Sequence, residues 1–153
     1  GHAMAAGLSL PVAHFDEFAV AFTAATEGQS QGLVLEAVCE TDGALEPQDF
    51  SLANAELLRD AGPWGQHFPE PLFDGEFELC AQRIVGEQHL KLRLRPVGAQ
   101  QELDAIAFRV DTQRWPDPGV RRVRAAFRLD VNSWRGEQSL QLLVEQLDPL
   151  PQA

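Results

Sequence analysis

Residues 90–95, Leu-Lys-Leu-Arg-Leu-Arg, alternate apolar and basic side chains. Because successive side chains of a β-strand point to opposite faces of the sheet, this period of two predicts a strand with leucines on one face and cations on the other. The same alternation recurs in four further stretches, residues 73–81, 103–110, 123–131 and 139–147. Five short strands are too few for a large sandwich, whereas a small, partly closed antiparallel barrel of the OB type leaves few strand edges exposed.

Helical signals precede the strands. An apolar stripe with helical spacing predicts an amphipathic helix over residues 12–27 that ends at Gly28. The stripe consists of Phe15, Phe18, Ala19 and Phe22. Residues 33–38 predict a short apolar strand, and Ser51 is suited to cap a second helix that ends at Gly62-Pro63. The predicted fold class is therefore α+β, with a helical or mixed amino-terminal part followed by a five-stranded antiparallel OB-type barrel.

The charge of the chain is distributed unevenly. The net charge is −11, which on its own argues against a nucleic-acid partner. Residues 1–81, however, contain one basic and fourteen acidic residues, and residues 82–153 contain eleven basic and nine acidic ones. This asymmetry predicts two regions with different electrostatic roles.

Composition sets further expectations. No apolar run approaches the length of a membrane span, and no signal peptide opens the chain, so we expect a cytoplasmic protein with no membrane partner. Cys39 and Cys80 lie apart in apolar stretches, which argues against a disulfide framework. We expect a monomer.

Two basic ladders are the candidate binding residues. Cations on one face of two predicted strands favour an electrostatic groove for a phosphate backbone, with Trp134, Trp115 or Phe108 as stacking platforms. The alternative is that the ladders are ordinary solvated outer positions of the sheet. The ladder residues are Lys91, Arg93 and Arg95 on the second strand and Arg122, Arg124 and Arg128 on the fourth.

The sequence predicts neither a metal site nor a catalytic centre. The histidines and cysteines show none of the short spacings typical of zinc sites. The carboxylates near the strands form no paired set typical of acid/base or two-metal chemistry. No metal ligand or catalytic residue is therefore predicted.

Several strings of residues resemble one known family. Residues 1–7, Gly-His-Ala-Met-Ala-Ala-Gly, are similar to the GGHxxAAG motif near the end of the DHH-associated domain of the DHH phosphoesterase superfamily. Further strings, in the same order, resemble the carboxy-terminal region of the bacterial RecJ family. One departure is that Trp64 and His67-Phe68 replace residues found in many relatives, and we interpret that connector as structural. The matching strings are residues 57–66, 69–75, 85–86, 89–91, 103–108, 129–136 and 139–141.

The resemblance implies a parent enzyme that degrades single-stranded DNA from 5′ to 3′ in repair and recombination, with Mn²⁺ or Mg²⁺ held by an amino-terminal DHH domain. It assigns residues 1–32 to the end of the DHH-associated domain, residues 33–72 to a linker strand, helix and connector, and residues 73–148 to the barrel. It gives Gly1 and His2 a contact with substrate phosphates. The present chain is expected to bind no catalytic metal and to have no nuclease activity alone.

Three functions remain open. The first is a module that binds and positions single-stranded DNA. The second is a docking site for the acidic carboxy-terminal tail of single-stranded-DNA-binding protein, the partner that the family suggests, whose terminal aromatic residue would enter an apolar pocket with a basic rim. The third is a structural cap in which the arginines pair with carboxylates of the acidic region.

Overall fold

The computed structural model describes residues 5–30 and 38–151. The chain divides into two compact units at Val38 and Cys39, and each unit is described by itself. Most of the strand predicted over residues 33–38, together with Gly1 and His2, lies outside the described residues. No helix in the described part of the chain is both long enough and apolar enough to span a bilayer.

The first unit contains the predicted amphipathic helix. A 3₁₀ turn at Val12–His14 leads into α1, Phe15–Ser30. The helix continues through Gly28, where the sequence predicted its end, because a single glycine costs a helix only about 1 kcal/mol. None of its residues is buried.

The second unit is a closed barrel of five strands. They are β1, Phe73–Val85; β2, His89–Pro96; β3, Leu103–Ala107; β4, Arg122–Trp134; and β5, Glu137–Pro149. Their order around the barrel is β1-β2-β3-β5-β4. The predicted OB-type barrel of five strands is confirmed, and one pairing, between β3 and β5, is parallel. Strand directions cannot alternate all the way around a closed ring with an odd number of strands, so at least one neighbouring pair must be parallel.

A β-bulge interrupts β1. Leu79 pairs with Leu94 and Ala81 pairs with Arg93, so Cys80 is an extra residue without a partner on β2. Phe77 and Leu79 point inward and are buried, but Ala81 is exposed. Uninterrupted alternation over residues 73–81 predicts that Ala81 shares the inner face with Phe77 and Leu79. This prediction is wrong, because the extra residue reverses the alternation beyond it.

The barrel core extends into the segment before β1. A 3₁₀ turn at Pro47–Asp49 precedes α2, Leu52–Ala61, and the hydroxyl of Ser51 caps α2 by accepting a hydrogen bond of 3.2 Å from the backbone N–H of Asn54. The helix contacts β4 and β5, and Ala55 and Phe50 belong to the core. The strands supply most of the buried side chains, which include Phe77, Leu90, Leu92, Leu94, Val123, Phe127 and Leu142.

Candidate nucleic-acid interface

The β2 ladder points outward, as predicted. Leu90, Leu92 and Leu94 are buried, and the cations between them occupy the outer face. Lys91 and Arg93 lie 3.7 Å and 3.6 Å from the carboxylate of Asp104 on β3. Arg95 forms an ion pair with Glu78 on β1 through its Nε and Nη2 groups.

The β4 ladder also lies on the outer face, and its members also have acidic neighbours. Arg122 donates a hydrogen bond of 2.9 Å to Glu76, and Arg124 donates one of 2.7 Å to Asp74. Arg128 lies 3.2 Å from the carboxylate of Glu145, and its Nη1 donates to the carbonyl oxygen of Glu70.

Strand β1 explains this pairing, because it lies between β2 and β4 in the barrel. Its outward residues before the bulge are Asp74, Glu76 and Glu78, and Glu78 is aligned with both Arg95 and Arg122. The two basic ladders therefore flank an acidic strand. The boundary between the acidic and the basic region of the sequence, at residue 81, lies within β1. The whole barrel, residues 73–149, contains eleven basic and twelve acidic residues, so its net charge is close to zero.

The ion pairs change the pKa values of their members in the expected directions. Hydrogen bonds from Thr41 and then from Arg124 lower the pKa of Asp74. The hydrogen bond to Glu78 raises the pKa of Arg95, and the hydrogen bond to Asp74 raises that of Arg124. These groups stay charged at neutral pH, so a phosphate that approaches either ladder must compete with a fixed carboxylate.

Other arginines, which were not selected from the sequence, have no ion-pair partner within residues 5–30 and 38–151. They are Arg83, Arg109, Arg121 and Arg135. Arg83 follows the bulge on β1, and Arg121 directly precedes β4. Alternation along the sequence does not single out Arg83 or Arg121. Arg83 lies an even number of positions from Phe77 and Leu79, so uninterrupted alternation would place it on their inner face. Arg121 lies an odd number of positions from the residues of the β4 ladder, so alternation would not place it with them.

The β4–β5 hairpin projects beyond the barrel. Pairing of β4 with β1 ends at Phe127 and pairing of β5 with β3 begins at Gln141, but β4 and β5 stay paired as far as Trp134 and Glu137. We call residues 132–139 the arm. Its two turn residues, Arg135 and Gly136, have φ values of 51° and 85°, as in a tight two-residue hairpin turn.

The tip of the arm presents an aromatic ring beside a cation. The side chain of Trp134 is 70% exposed, and the guanidinium carbon of Arg135 lies 5.8 Å from the centroid of its ring. Of the other predicted stacking platforms, Phe108 is exposed and contacts His89 edge to face. Trp115 is only 4% exposed and belongs to the core, so the prediction that it stacks a base was wrong.

A shallow pocket lies where the β3–β4 connection meets β5. Val110 and Leu147 form part of its apolar lining, and Arg109 and Arg114 contribute cations. Asp111 and Glu145 also line it, so its formal charge is balanced.

The described residues do not fit a divalent metal. No group of three or more histidine, cysteine or acidic side chains that could hold an ion occurs within residues 5–30 and 38–151. The metal that the family resemblance implies therefore has no ligand set in this part of the chain.

Comparison with known proteins defines the family. The family described as the RecJ OB domain matches residues 41–146. The chain belongs to the RecJ family. It is 53% identical over 150 residues to the single-stranded-DNA-specific exonuclease RecJ of Dickeya dadantii. The aligned residues make up 98% of this chain and 26% of that protein. The same protein of Escherichia coli is 50% identical over 150 residues, with the same coverage.

The chain thus spans about a quarter of the length of these RecJ proteins. Among solved structures, RecJ from Thermus thermophilus in complex with Mg²⁺ is similar with a TM-score of 0.62 and 22% identity, covering 90% of this chain and 21% of that one. The corresponding complex with Mn²⁺ gives a TM-score of 0.59 and 23% identity, covering 90% and 20%. This similarity supports the RecJ barrel fold described above.

Proposed function

We propose that this chain is a module that binds single-stranded DNA and positions it for an exonuclease core elsewhere in a longer RecJ protein. The relatives are named single-stranded-DNA-specific exonucleases, and this chain covers only about a quarter of them. We place the metal-dependent hydrolysis in the part of those proteins that this chain does not match, because the family resemblance assigns the metal ligands to an amino-terminal DHH domain. The 153-residue chain alone should not degrade DNA.

The observation that carries the proposal is the exposed Trp134 beside Arg135 at the tip of the arm. OB barrels bind oligonucleotides on the face of strands 2 and 3 and with the loops that join strands 1–2 and 4–5, and the arm ends in the 4–5 loop. A base stacked on an aromatic side chain contributes about 1–3 kcal/mol, and every base has a face that can stack. The arm is thus suited to hold a strand without regard to its sequence.

The six ladder residues, Lys91, Arg93, Arg95, Arg122, Arg124 and Arg128, contribute less to this function than the sequence predicted. Each has a carboxylate partner, and an anion gains little from a cation that is already neutralised. Because the chain carries a net charge of −11, we expect weak binding that is measurable in dilute salt. Gly1 and His2 keep their proposed phosphate contact from the family motif.

Tryptophan fluorescence tests the proposal, because the three tryptophans differ in exposure. Trp134 is exposed, Trp115 is buried, and the indole N–H of the partly buried Trp64 donates to the carbonyl of Leu58. Binding of a dT oligomer should quench Trp134 in the wild type. The Trp134→Ala variant should bind a labelled oligomer about tenfold more weakly by anisotropy, from a loss of about 1.4 kcal/mol within the stacking range.

The Trp134→Phe variant should keep most of the affinity and lose the quenching, because phenylalanine still stacks. The matched control is Phe68→Ala, which removes another exposed aromatic ring, in the connector. An unchanged affinity of Trp134→Ala would contradict the proposal, as would an equal loss in the control.

A second candidate function rests on the pocket that holds Arg109 and Arg114. Its apolar lining and its cations suit the aromatic ring and terminal carboxylate of an acidic peptide, such as the tail of single-stranded-DNA-binding protein. Arg109 has no ion-pair partner in the described part of the chain, so its guanidinium is available for a carboxylate. Titration of a tail peptide with and without its terminal phenylalanine tests this function; equal affinities would exclude the pocket.

A further inference from the structure

The bulge at Cys80 changes the character of the outer face of β1. Before it, the outward residues are Asp74, Glu76 and Glu78; after it they are Ala81 and Arg83, which are both exposed. Without the extra residue, Arg83 would share the inward direction of Phe77 and Leu79. Bulges often re-aim side chains next to functional sites.

The residues on either side of Arg83 confirm the change of direction. The side-chain amide of Gln82 is bonded to the backbone of Asp117, donating to its carbonyl at 2.5 Å and accepting from its N–H at 2.9 Å. Ile84 packs against the core. Gln82 and Ile84 therefore occupy the inner side, and Arg83 lies on the outer face directly opposite Lys91.

Two basic grooves meet at the bulge. The first contains Arg83, Lys91 and Arg93 with one carboxylate, that of Asp104. The second contains Arg95, Arg121 and Arg122 with one carboxylate, that of Glu78. Ala81 lines the first groove and Cys80 lines the second, so consecutive residues of β1 connect them.

The charges of the grooves favour an anion. Each groove is lined by three cations and one carboxylate, although Glu102 and Glu76 also contact Arg93 and Arg122 from outside. Arg83 in the first groove and Arg121 in the second have no ion-pair partner among the described residues. Burial raises the pKa of the Cys80 thiol, so this residue adds no negative charge at neutral pH.

We propose that these two grooves form one phosphate-binding path across β1 and β2, with Arg83 and Arg121 as its principal ligands for a phosphodiester backbone. This inference rests on the proposed function, and it assigns the phosphate contacts to residues other than the ladders. A planar guanidinium offers paired N–H donors to phosphate oxygens, and an unpaired one gives up no existing ion pair on binding.

The salt dependence of binding tests the path. For single strands, each phosphate contact contributes about 0.7 to the slope of log affinity against log salt. The Arg83→Gln/Arg121→Gln double variant should lower the slope for a dT oligomer by about 1.4, and the two lysine substitutions should restore most of it. Arg59→Gln is the control, because it removes one exposed arginine of α2 that lies outside both grooves, and it should leave the slope unchanged.

Thiol labelling supplies a second measurement within the same molecule. A bound oligomer should slow the reaction of Cys80 with N-ethylmaleimide severalfold and leave Cys39, which is exposed and lies outside both grooves, unaffected. Inorganic tripolyphosphate should protect Cys80 in the same way. Protection of Cys80 together with the lower slope supports the path.

The outcomes separate the two proposals. If the wild type binds the oligomer and the double variant keeps the full slope, the path is wrong and the DNA-binding function stands. A fall of about 0.7 in the slope for Arg59→Gln, half that of the double variant, also overturns the path, because the effect is then one of net charge. If the wild type does not bind the oligomer even in dilute salt, the proposed function fails; protection by tripolyphosphate then supports the path as an anion site, and lack of protection overturns it.

Discussion

The Phe50→Ala substitution tests whether the segment before β1 is part of the barrel. The sequence predicted residues 33–72 as a linker strand, helix and connector. In the structure, Phe50 is 6% exposed. The centroid of its ring lies 5.8 Å from the ring centroid of Phe127 and 6.1 Å from that of Phe77. A linker residue would tolerate truncation, whereas a core residue would not.

The expected loss follows from this packing. Truncating a buried phenylalanine to alanine costs about 3–5 kcal/mol, through lost apolar burial and the cavity that remains. A domain of this size is stable by about 5–15 kcal/mol, so the variant should lose a large part of its free energy of unfolding. With a urea m-value of about 1–3 kcal/mol/M, the midpoint should fall by about 2 M.

Urea unfolding followed by tryptophan fluorescence provides the assay, because Trp115 is buried in the folded barrel. Phe68→Ala is the control, because Phe68 is 61% exposed and contacts only the tilted ring of Trp64 among the aromatic residues of the described chain. It should cost less than about 1 kcal/mol. A cycle of Phe50→Leu with Phe127→Leu should show a coupling of about 0.5–1.5 kcal/mol, as expected for aromatic pairs. A cost below about 1 kcal/mol for Phe50→Ala, without coupling, would refute the assignment of this segment to the core.

Three further predictions concern local stability. Ser51→Ala removes the cap of α2 and should lower the free energy of unfolding by about 1 kcal/mol in urea titrations, whereas Ser51→Asp, which keeps an acceptor, should cost much less. Asp74→Asn should be less stable than the wild type at pH 7, because hydrogen bonds from Thr41 and Arg124 lower the folded pKa of Asp74. The stability from this group is present above its unfolded pKa of about 3.9 and is lost as the pH falls through the folded pKa, so the difference between the two proteins in thermal melts should begin to shrink near pH 4 and vanish below the folded pKa. A difference that does not shrink as the pH falls below about 4 would show that the charge is not its source. Gly136→Ala should cost about 1 kcal/mol because Gly136 has a φ of 85°, and Gly136→Asn should recover part of that loss.

The acidic partners of the two ladders can be recognised in the sequence as outward-facing residues of a strand. The periodicity of a single strand does not show, however, that they lie beside the ladders. Glu76 and Glu78 alternate with apolar residues in the same way as the arginines of β2 and β4. Periodicity shows which side chains of a strand share a face, but not which strand lies beside it. Because barrel closure makes β1 the neighbour of both β2 and β4, the ladders became ion-paired surfaces.

The sequence by itself determined the local elements. Alternation over residues 90–95 and 123–129 specified the strands and their buried faces, Ser51 and Gly62 bounded α2, and the matching strings indicated the RecJ family. These features depend on residues close together in the chain, where backbone geometry fixes the period.

The tertiary structure alone decided the rest. The parallel pairing of β3 with β5 follows from closing a ring of five strands, and the bulge at Cys80 depends on the register between β1 and β2. The exposure of Arg83 and the neutralisation of Arg95 and Arg124 follow from that bulge and from strand adjacency. Register and adjacency are set by contacts between residues far apart in the sequence, so a local period contains no information about them.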